Sequence, residues 1–218
     1  MKHLVFYFDV ISPFAWLAFA RLPVALEGHS YSVTYKPVVF GAVLSHHGQL
    51  GPAEIPVKRD WTYRQVLWLA RSHGVELQMP ERHPFNSLAL LRLAVASGAN
   101  GLPNRYVTEQ LFRHVWCGGA DAADPERLRA LTEQLAPARA PQSDAVKAEL
   151  RAHTDAALAQ GLFGVPTIEV DGRMFWGLDA LPMLRAYLDG DEWFATGAWD
   201  AVRAIAAGIS RKRDQAQS

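Results

Sequence analysis

Residues 4–10, LVFYFDV, form an apolar and aromatic run that passes through Ile11 straight into Ser12-Pro13 and a second apolar stretch, FAWLAFARL, with no loop between the two. A short continuous apolar run of this kind reads as a strand buried on both faces, here residues 3–9. Serine followed by proline is a good N-cap and first helical residue, so a helix is expected over 13–27, its register disturbed at Pro23. A buried strand that hands over directly to a helix requires a layered α/β packing. The next segment, YSVTYKPVVF at 31–40, is rich in β-branched and aromatic residues and reads as a second strand, giving a strand–helix–strand start with a parallel pair.

Beyond it, GAVLSHHGQLGPAEIPV (41–57) is dense in Gly, Pro and His and is expected to be an ordered loop. About a hundred helical residues follow. WTYRQVLWLARSH places Trp61, Val66, Leu69 and His73 near one face, and NSLALLRLAVAS repeats apolar residues at three and four before Gly98. Asp124-Pro125-Glu126 is a helix start, and Ser143 opens a further helix that Gly161 closes. These four helices are expected to form a compact cap. The last third returns to sheet: TIEV and RMFW flank Asp171-Gly172, a strong hairpin signal, and a helix follows from about 179 to 188. The order is βαβ…ββα, a thioredoxin-like plan.

At 218 residues, half of them apolar, the chain suits one domain with a large insertion. The expected fold class is α/β, a thioredoxin-like fold with a large all-helical insertion. Residues 1–40 and 155–200 are its two parts, 41–154 the insertion, and 201–218 an extension whose charged end, RKRDQAQS, is expected to be disordered. Lys+Arg and Asp+Glu both number 22, which leaves no bulk field for nucleic acid or an anionic membrane. Cys117 is the sole cysteine, so no internal disulfide forms, and the N-terminus lacks a signal-peptide pattern. A cytoplasmic location is expected, with no membrane span. No Cys or carboxylate cluster stands at metal-ligand spacing, and Cys117 is expected to pack as a small apolar residue.

The strand FYFDV running into Ser12-Pro13-Phe14, the loop EIPVKRDW, the segment GLFGVPT and the ending VDGRMFWGLDAL together resemble the 2-hydroxychromene-2-carboxylate isomerases and their relatives, the kappa-class glutathione transferases, within the DsbA-like thioredoxin superfamily. Disulfide oxidoreductases of that superfamily carry Cys-x-x-Cys at the strand-to-helix turn. Here Ser12 and Ala15 occupy those places, so thiol–disulfide exchange is excluded at this turn.

What the resemblance implies is glutathione as cofactor, with Ser12 as the catalytic residue whose hydroxyl, at a helix N-terminus, stabilises the thiolate. Ser12 read without that context is only a cap, contributing about 1 kcal/mol. The resemblance further implies a cis Val165-Pro166 bond that presents Val165 to the cysteinyl part of glutathione. Leu178 and Asp179 would take the γ-glutamyl head and Lys58 the peptide. Phe14, Trp16, Tyr63 and Trp68 could line a pocket for a small aromatic substrate, with His47 or His46 orienting a carboxylate; aromatic residues at helical spacing are equally core. Many relatives have a lysine and then an asparagine in the loop after the second strand, where this chain has Ser45 and Gln49. The implied activity is glutathione-dependent cis–trans isomerisation of 2-hydroxychromene-2-carboxylate or a similar aromatic-catabolism intermediate. The alternatives are a kappa-like transferase and a non-catalytic glutathione- or peptide-binding protein, and a homodimer is implied by the relatives alone.

Overall fold

The computed structural model describes residues 1–209, so the charged end RKRDQAQS lies outside the described residues. Strand β1 (Lys2–Phe8) leads through a turn at 9–12 into helix α1 (Pro13–Ala25), and β2 (Tyr31–Pro37) returns parallel to β1, with Phe6 beside Tyr35. Helices α2 (Phe40–His47), α3 (Pro56–His73), α4 (Leu88–Ser97), α5 (Arg105–Trp116), α6 (Pro125–Leu135) and α7 (Asp144–Ala159) follow. Then β3 (Thr167–Val170) and β4 (Arg173–Trp176) form the expected hairpin, and α8 (Leu181–Asp189) comes after a short 3-10 turn at Leu178–Ala180. The sheet order is β2-β1-β3-β4, with β1 antiparallel to β3 and β3 to β4. The chain thus has the DsbA-like thioredoxin plan, a mixed four-stranded sheet with a large helical content.

Alternation along β1 sorts the core into two layers. Leu4, Phe6 and Phe8 face α1 and α5, where Phe19 and Phe112 meet at 5.3 Å between ring centroids and Phe8 lies 5.4 Å from Phe112. Tyr7 faces the other way, onto Val43, Ala157, Leu162 and Val165. The insertion is therefore not a detached cap: α5 supplies part of the first layer and α2 and α7 part of the second.

Several expectations are corrected. The segment at 41–57 is not a loop, because α2 forms within it: Asp9 Oδ2 accepts the Phe40 N–H at 3.0 Å, Thr154 Oγ1 accepts that of Val39 at 3.0 Å, and Gly48 closes the helix in the left-handed region. Tertiary partners thus cap a helix that lacks a capping side chain of its own. The boundaries at 40/41 and 154/155 both fall inside helices, α2 and α7. With α2, the middle holds two helices more than expected: the other, α5, is capped by Asn104, which accepts the Val107 N–H at 2.9 Å. Helix α1 runs unbroken through Pro23 and ends two residues later, at Ala25. On α3, Val66 is buried but Trp61 points to solvent, 65% exposed. No helix of the described residues is long and apolar enough to cross a membrane.

Candidate active site

The turn between β1 and α1 is held on every side. Asp9 Oδ1 accepts the Ile11 N–H at 3.1 Å, closing the turn from within, and the Ser12 N–H donates to the Asp9 carbonyl at 3.1 Å. The remaining carbonyls are met from the helical insertion: Trp116 Nε1 donates to Val10 and His83 Nε2 to Ile11, at 2.9 and 2.8 Å. The Ile11 carbonyl can only accept, so Nε2 of His83 carries a proton, and burial holds the His83 pKa below its ordinary value. The hydroxyl of Tyr63 lies 2.8 Å from both Nδ1 and the carbonyl oxygen of His83.

Asp9 is fully buried and accepts two further hydrogen bonds at Oδ2, from the Phe40 N–H and the Ser87 hydroxyl at 3.1 Å. One carboxylate therefore ties the turn to the starts of α2 and α4. Burial pushes its pKa up to about 6, against the pull of those three donors.

Ser12 caps α1: its Oγ accepts the Ala15 N–H at 3.3 Å, and its own proton goes to the Val165 carbonyl, also at 3.3 Å. Pro13 has no N–H, and the Phe14 N–H meets no backbone acceptor among the described residues. The first turn of a 13-residue helix thus presents an unpaired donor and the positive end of the helix dipole beside the hydroxyl. Across from it, the Val165-Pro166 bond is cis, and Pro166 accepts the Gly177 N–H at 2.9 Å.

This mouth opens into a cleft of about 730 Å³ with three walls. Phe14 and Arg21 line it from α1, Gln65, Leu69 and His73 from α3, and Leu178 and Asp179 with the start of α8 from the third side. Positions 65, 69 and 73 recur every four residues, which places them on one helical face. Trp176, 53% exposed, closes one end, its indole lying where a Cβ on Gly164 would go. Gly177 has φ +98 and ψ 166, a region open essentially to glycine alone, and the Asp179 carboxylate occupies the space its side chain would take.

The structure brings Phe14, Val165, Pro166, Leu178 and Asp179 together in this cleft, with Ser12 pinned to Val165 at its mouth. It does not bring in the others. Trp16 is core, 4% exposed, stacked on Phe19 and donating from Nε1 to the Glu76 carbonyl at 2.9 Å. His47 sits in the last turn of α2 with Nε2 on the Leu162 carbonyl at 2.9 Å. Lys58 stands exposed in the first turn of α3, about two turns before Gln65. Trp68 faces solvent. Tyr63 is bound to His83 and reaches the turn only through it. Cys117 is half-buried on α5's C-terminal end, and burial raises its thiol pKa. Sequence reasoning missed Asp9, His83, Trp116, Arg21 and the Gln65–His73 face. Only Asp9 carried a local signal, an acid ending an apolar strand one step before a turn.

Over residues 3–189 the chain matches the family described as DSBA-like thioredoxin domain. It is 32% identical over 193 residues to the 2-hydroxychromene-2-carboxylate isomerase of Pseudomonas sp. (strain C18), covering 85% of this chain and 89% of that protein. Its identity to glutathione S-transferase kappa 1 of Rattus norvegicus is 25% over 207 residues, covering 86% and 90%. Among solved structures, a 2-hydroxychromene-2-carboxylate isomerase superposes with a TM-score of 0.75 at 25% identity, covering 91% of this chain and 98% of the other. A serine in place of the redox cysteine, a cis proline opposite it and similarity along most of its length make this chain a member of the DsbA-like thioredoxin family, in the group that holds the 2-hydroxychromene-2-carboxylate isomerases and the kappa glutathione transferases.

Proposed function

We propose that the cleft binds glutathione and that the protein is a glutathione-dependent isomerase of 2-hydroxychromene-2-carboxylate or a closely similar aromatic keto acid. The observation that carries this reading is the Ser12–Val165 hydrogen bond at the N-terminus of α1. It is a latch that a cysteinyl ligand can replace without loss of bonds. The Ser12 hydroxyl turns its proton from the Val165 carbonyl to the sulfur while still accepting the Ala15 N–H. The Val165 carbonyl is then free to accept the ligand's backbone N–H. Leu178 and Asp179 offer N–H groups that meet no backbone acceptor, and Asp179 a carboxylate for an ammonium.

When bound, glutathione supplies a thiolate that adds reversibly to the double bond of the ring-opened, conjugated keto acid and leaves unchanged once the bond has turned from cis to trans. The residues' part is to keep that sulfur ionised and in place. Ser12 donates to it, the Phe14 N–H and the helix dipole add positive potential, and the apolar walls of Phe14 and Leu69 keep bulk water away. Helix N-termini bring thiol pKa values from about 8.5 to roughly 3.5–7.5. Because the sulfur returns, one equivalent of glutathione serves many turnovers.

Incubation of the protein with glutathione and 2-hydroxychromene-2-carboxylate tests this. The expected result is trans-o-hydroxybenzylidenepyruvate product with free thiol undiminished. Stoichiometric loss of thiol into an adduct would assign the transferase reaction that the name of the rat relative describes, and neither result would reduce the protein to a binding module.

A further inference from the structure

A peptide unit is rigid, so it turns as one plate, and its orientation is fixed when both its C=O and its N–H are held. In the turn from β1 to α1 two successive plates are held in this way. The Val10–Ile11 plate has its carbonyl on Trp116 Nε1 at 2.9 Å and its N–H on Asp9 Oδ1 at 3.1 Å. The Ile11–Ser12 plate has its carbonyl on His83 Nε2 at 2.8 Å and its N–H on the Asp9 carbonyl at 3.1 Å. One tether of each plate comes from Asp9, next to β1, and the other crosses from the helical insertion.

The second plate carries Ser12. Its orientation goes with the φ of Ser12, −87° here, and so with the direction of the bond that aims the hydroxyl at Val165. His83 is itself well anchored, in the segment 75–87 between α3 and α4. Trp16 Nε1 donates to the Glu76 carbonyl of that segment at 2.9 Å, the Gln78 N–H to the Trp116 carbonyl at 2.7 Å, and the Ser87 hydroxyl to Asp9 at 3.1 Å. The His83 ring packs against Tyr63 and Trp116, each with ring centroids 5.4 Å away. With the proton on Nε2, Nδ1 can only accept, and the Tyr63 hydroxyl faces it at 2.8 Å. Neither His83 nor Tyr63 lines the cleft, so an effect of either on the chemistry passes through the plate.

We propose that His83 is a positioning residue for Ser12: its Nε2–H holds the Ile11 carbonyl, and with it the plate that aims the hydroxyl, so that a side chain of the helical insertion sets the geometry of the turn between β1 and α1. Without that donor the plate keeps only its N–H tether and tilts. A misplacement of about 1 Å at a reacting group costs on the order of a hundredfold in rate. Ligand affinity changes less, because Val165, Leu178 and Asp179 line the cleft independently of the plate. The kinetic consequence rests on the glutathione reading; the tether does not.

Two substitutions of similar length separate the donor from the ring. Glutamine ends in an N–H donor on an unbranched chain, and methionine fills similar space without one. In His83→Met, hydrogen exchange of the Ser12 amide, taken relative to the β1 amides so that global stability cancels, is expected to be about tenfold faster than in the wild type. In the same variant kcat is expected to fall roughly ten- to a hundredfold, with KM for glutathione within about threefold of the wild type. His83→Gln is expected to regain most of both losses. A methionine variant with wild-type exchange overturns the proposal, as does faster exchange without a fall in kcat, or an equal loss in both variants. A wild type without glutathione-dependent turnover overturns the glutathione reading alone, and the exchange rates then decide whether the tether holds. Should His83→Met fail to fold, nitrogen-15 NMR of the wild-type His83 ring decides: a proton on Nε2 supports the donor, and a bare Nε2 overturns it.

Discussion

Replacing Ser12 with glycine is expected to lower glutathione-dependent turnover roughly a hundredfold, the scale seen when one donor to a developing or resident anion is removed. The stability change is expected to be small by comparison. Glycine is nearly as good an N-cap as serine, costing a few tenths of a kcal/mol, and the Val165 carbonyl, left without its donor, adds about 1 kcal/mol. Alanine is the poorer probe, because it costs about 1 kcal/mol as a lost cap before the carbonyl is counted. Turnover and the urea midpoint, measured on the same preparation of Ser12→Gly, separate the two roles. A variant with wild-type turnover leaves Ser12 as a cap alone.

The second large effect concerns Asp9, whose neighbours explain both its position and its energetics. Its environment consists of the Ile11 and Phe40 N–H groups and the Ser87 hydroxyl, all neutral donors, and no charged group contributes to its shift. The folded-state pKa of about 6 stands above the reference 3.8, so the folded chain holds the Asp9 proton more tightly than the unfolded one. The associated stability is complete below pH 3.8 and is lost as pH rises through 6. A shift of roughly two units corresponds to about 3 kcal/mol. His83 runs the other way: its lowered pKa means stability present above 6.5 and lost as pH falls.

Because both groups titrate, the wild-type curve is composite, but its difference from Asp9→Asn isolates Asp9. Urea unfolding of the two proteins at pH 4, 5, 6 and 7 is expected to show the gap moving in favour of the variant by about 2.4 kcal/mol across the window, whatever constant offset the asparagine imposes through the acceptor it loses. A gap that does not change with pH contradicts the burial of a titrating carboxylate under the turn.

How much of this was legible in the sequence depends on whether a residue's role is local. The hairpin at Asp171-Gly172, the caps at Asp124 and Ser143, and the handover from β1 to α1 were readable because turn and cap chemistry acts within three or four residues. Helix α2 was not, since the groups that cap it, Asp9 and Thr154, lie 31 and 115 residues away. The aromatic content of α1 suggested a pocket, but Trp16 faces the core, where the Glu76 carbonyl, 60 residues on, accepts its indole N–H. Helix α5 is a different case. Val107, Leu111, Phe112 and Val115 repeat at helical spacing, so its period is local and legible in the sequence. The residues that secure the turn, Trp116 and His83, have no local signature, since what matters is the carbonyl each meets.

The cleft shows the same division. Val165-Pro166 and Leu178-Asp179 were assigned from resemblance and line one space, whereas Lys58, assigned on the same ground, and His47, read from the residues where the chain departs from that resemblance, do not. Arg21 sits in the middle of an apolar helix, where a single cation reads as surface until the facing walls are known.

Everything catalytic in this reading depends on a thiol that is ionised because it lies against Ser12 and the first turn of α1. The direct measurement is a pH titration of thiolate absorbance for glutathione bound to the wild type and to Ser12→Gly, each against the free tripeptide. Bound to the wild type, the thiol is expected to ionise at or below about pH 7.5, well under the reference of about 8.5, and in the variant to move back toward it. A bound thiol that titrates as the free one does, identically in both proteins, would contradict the assignment of this turn as a thiolate site.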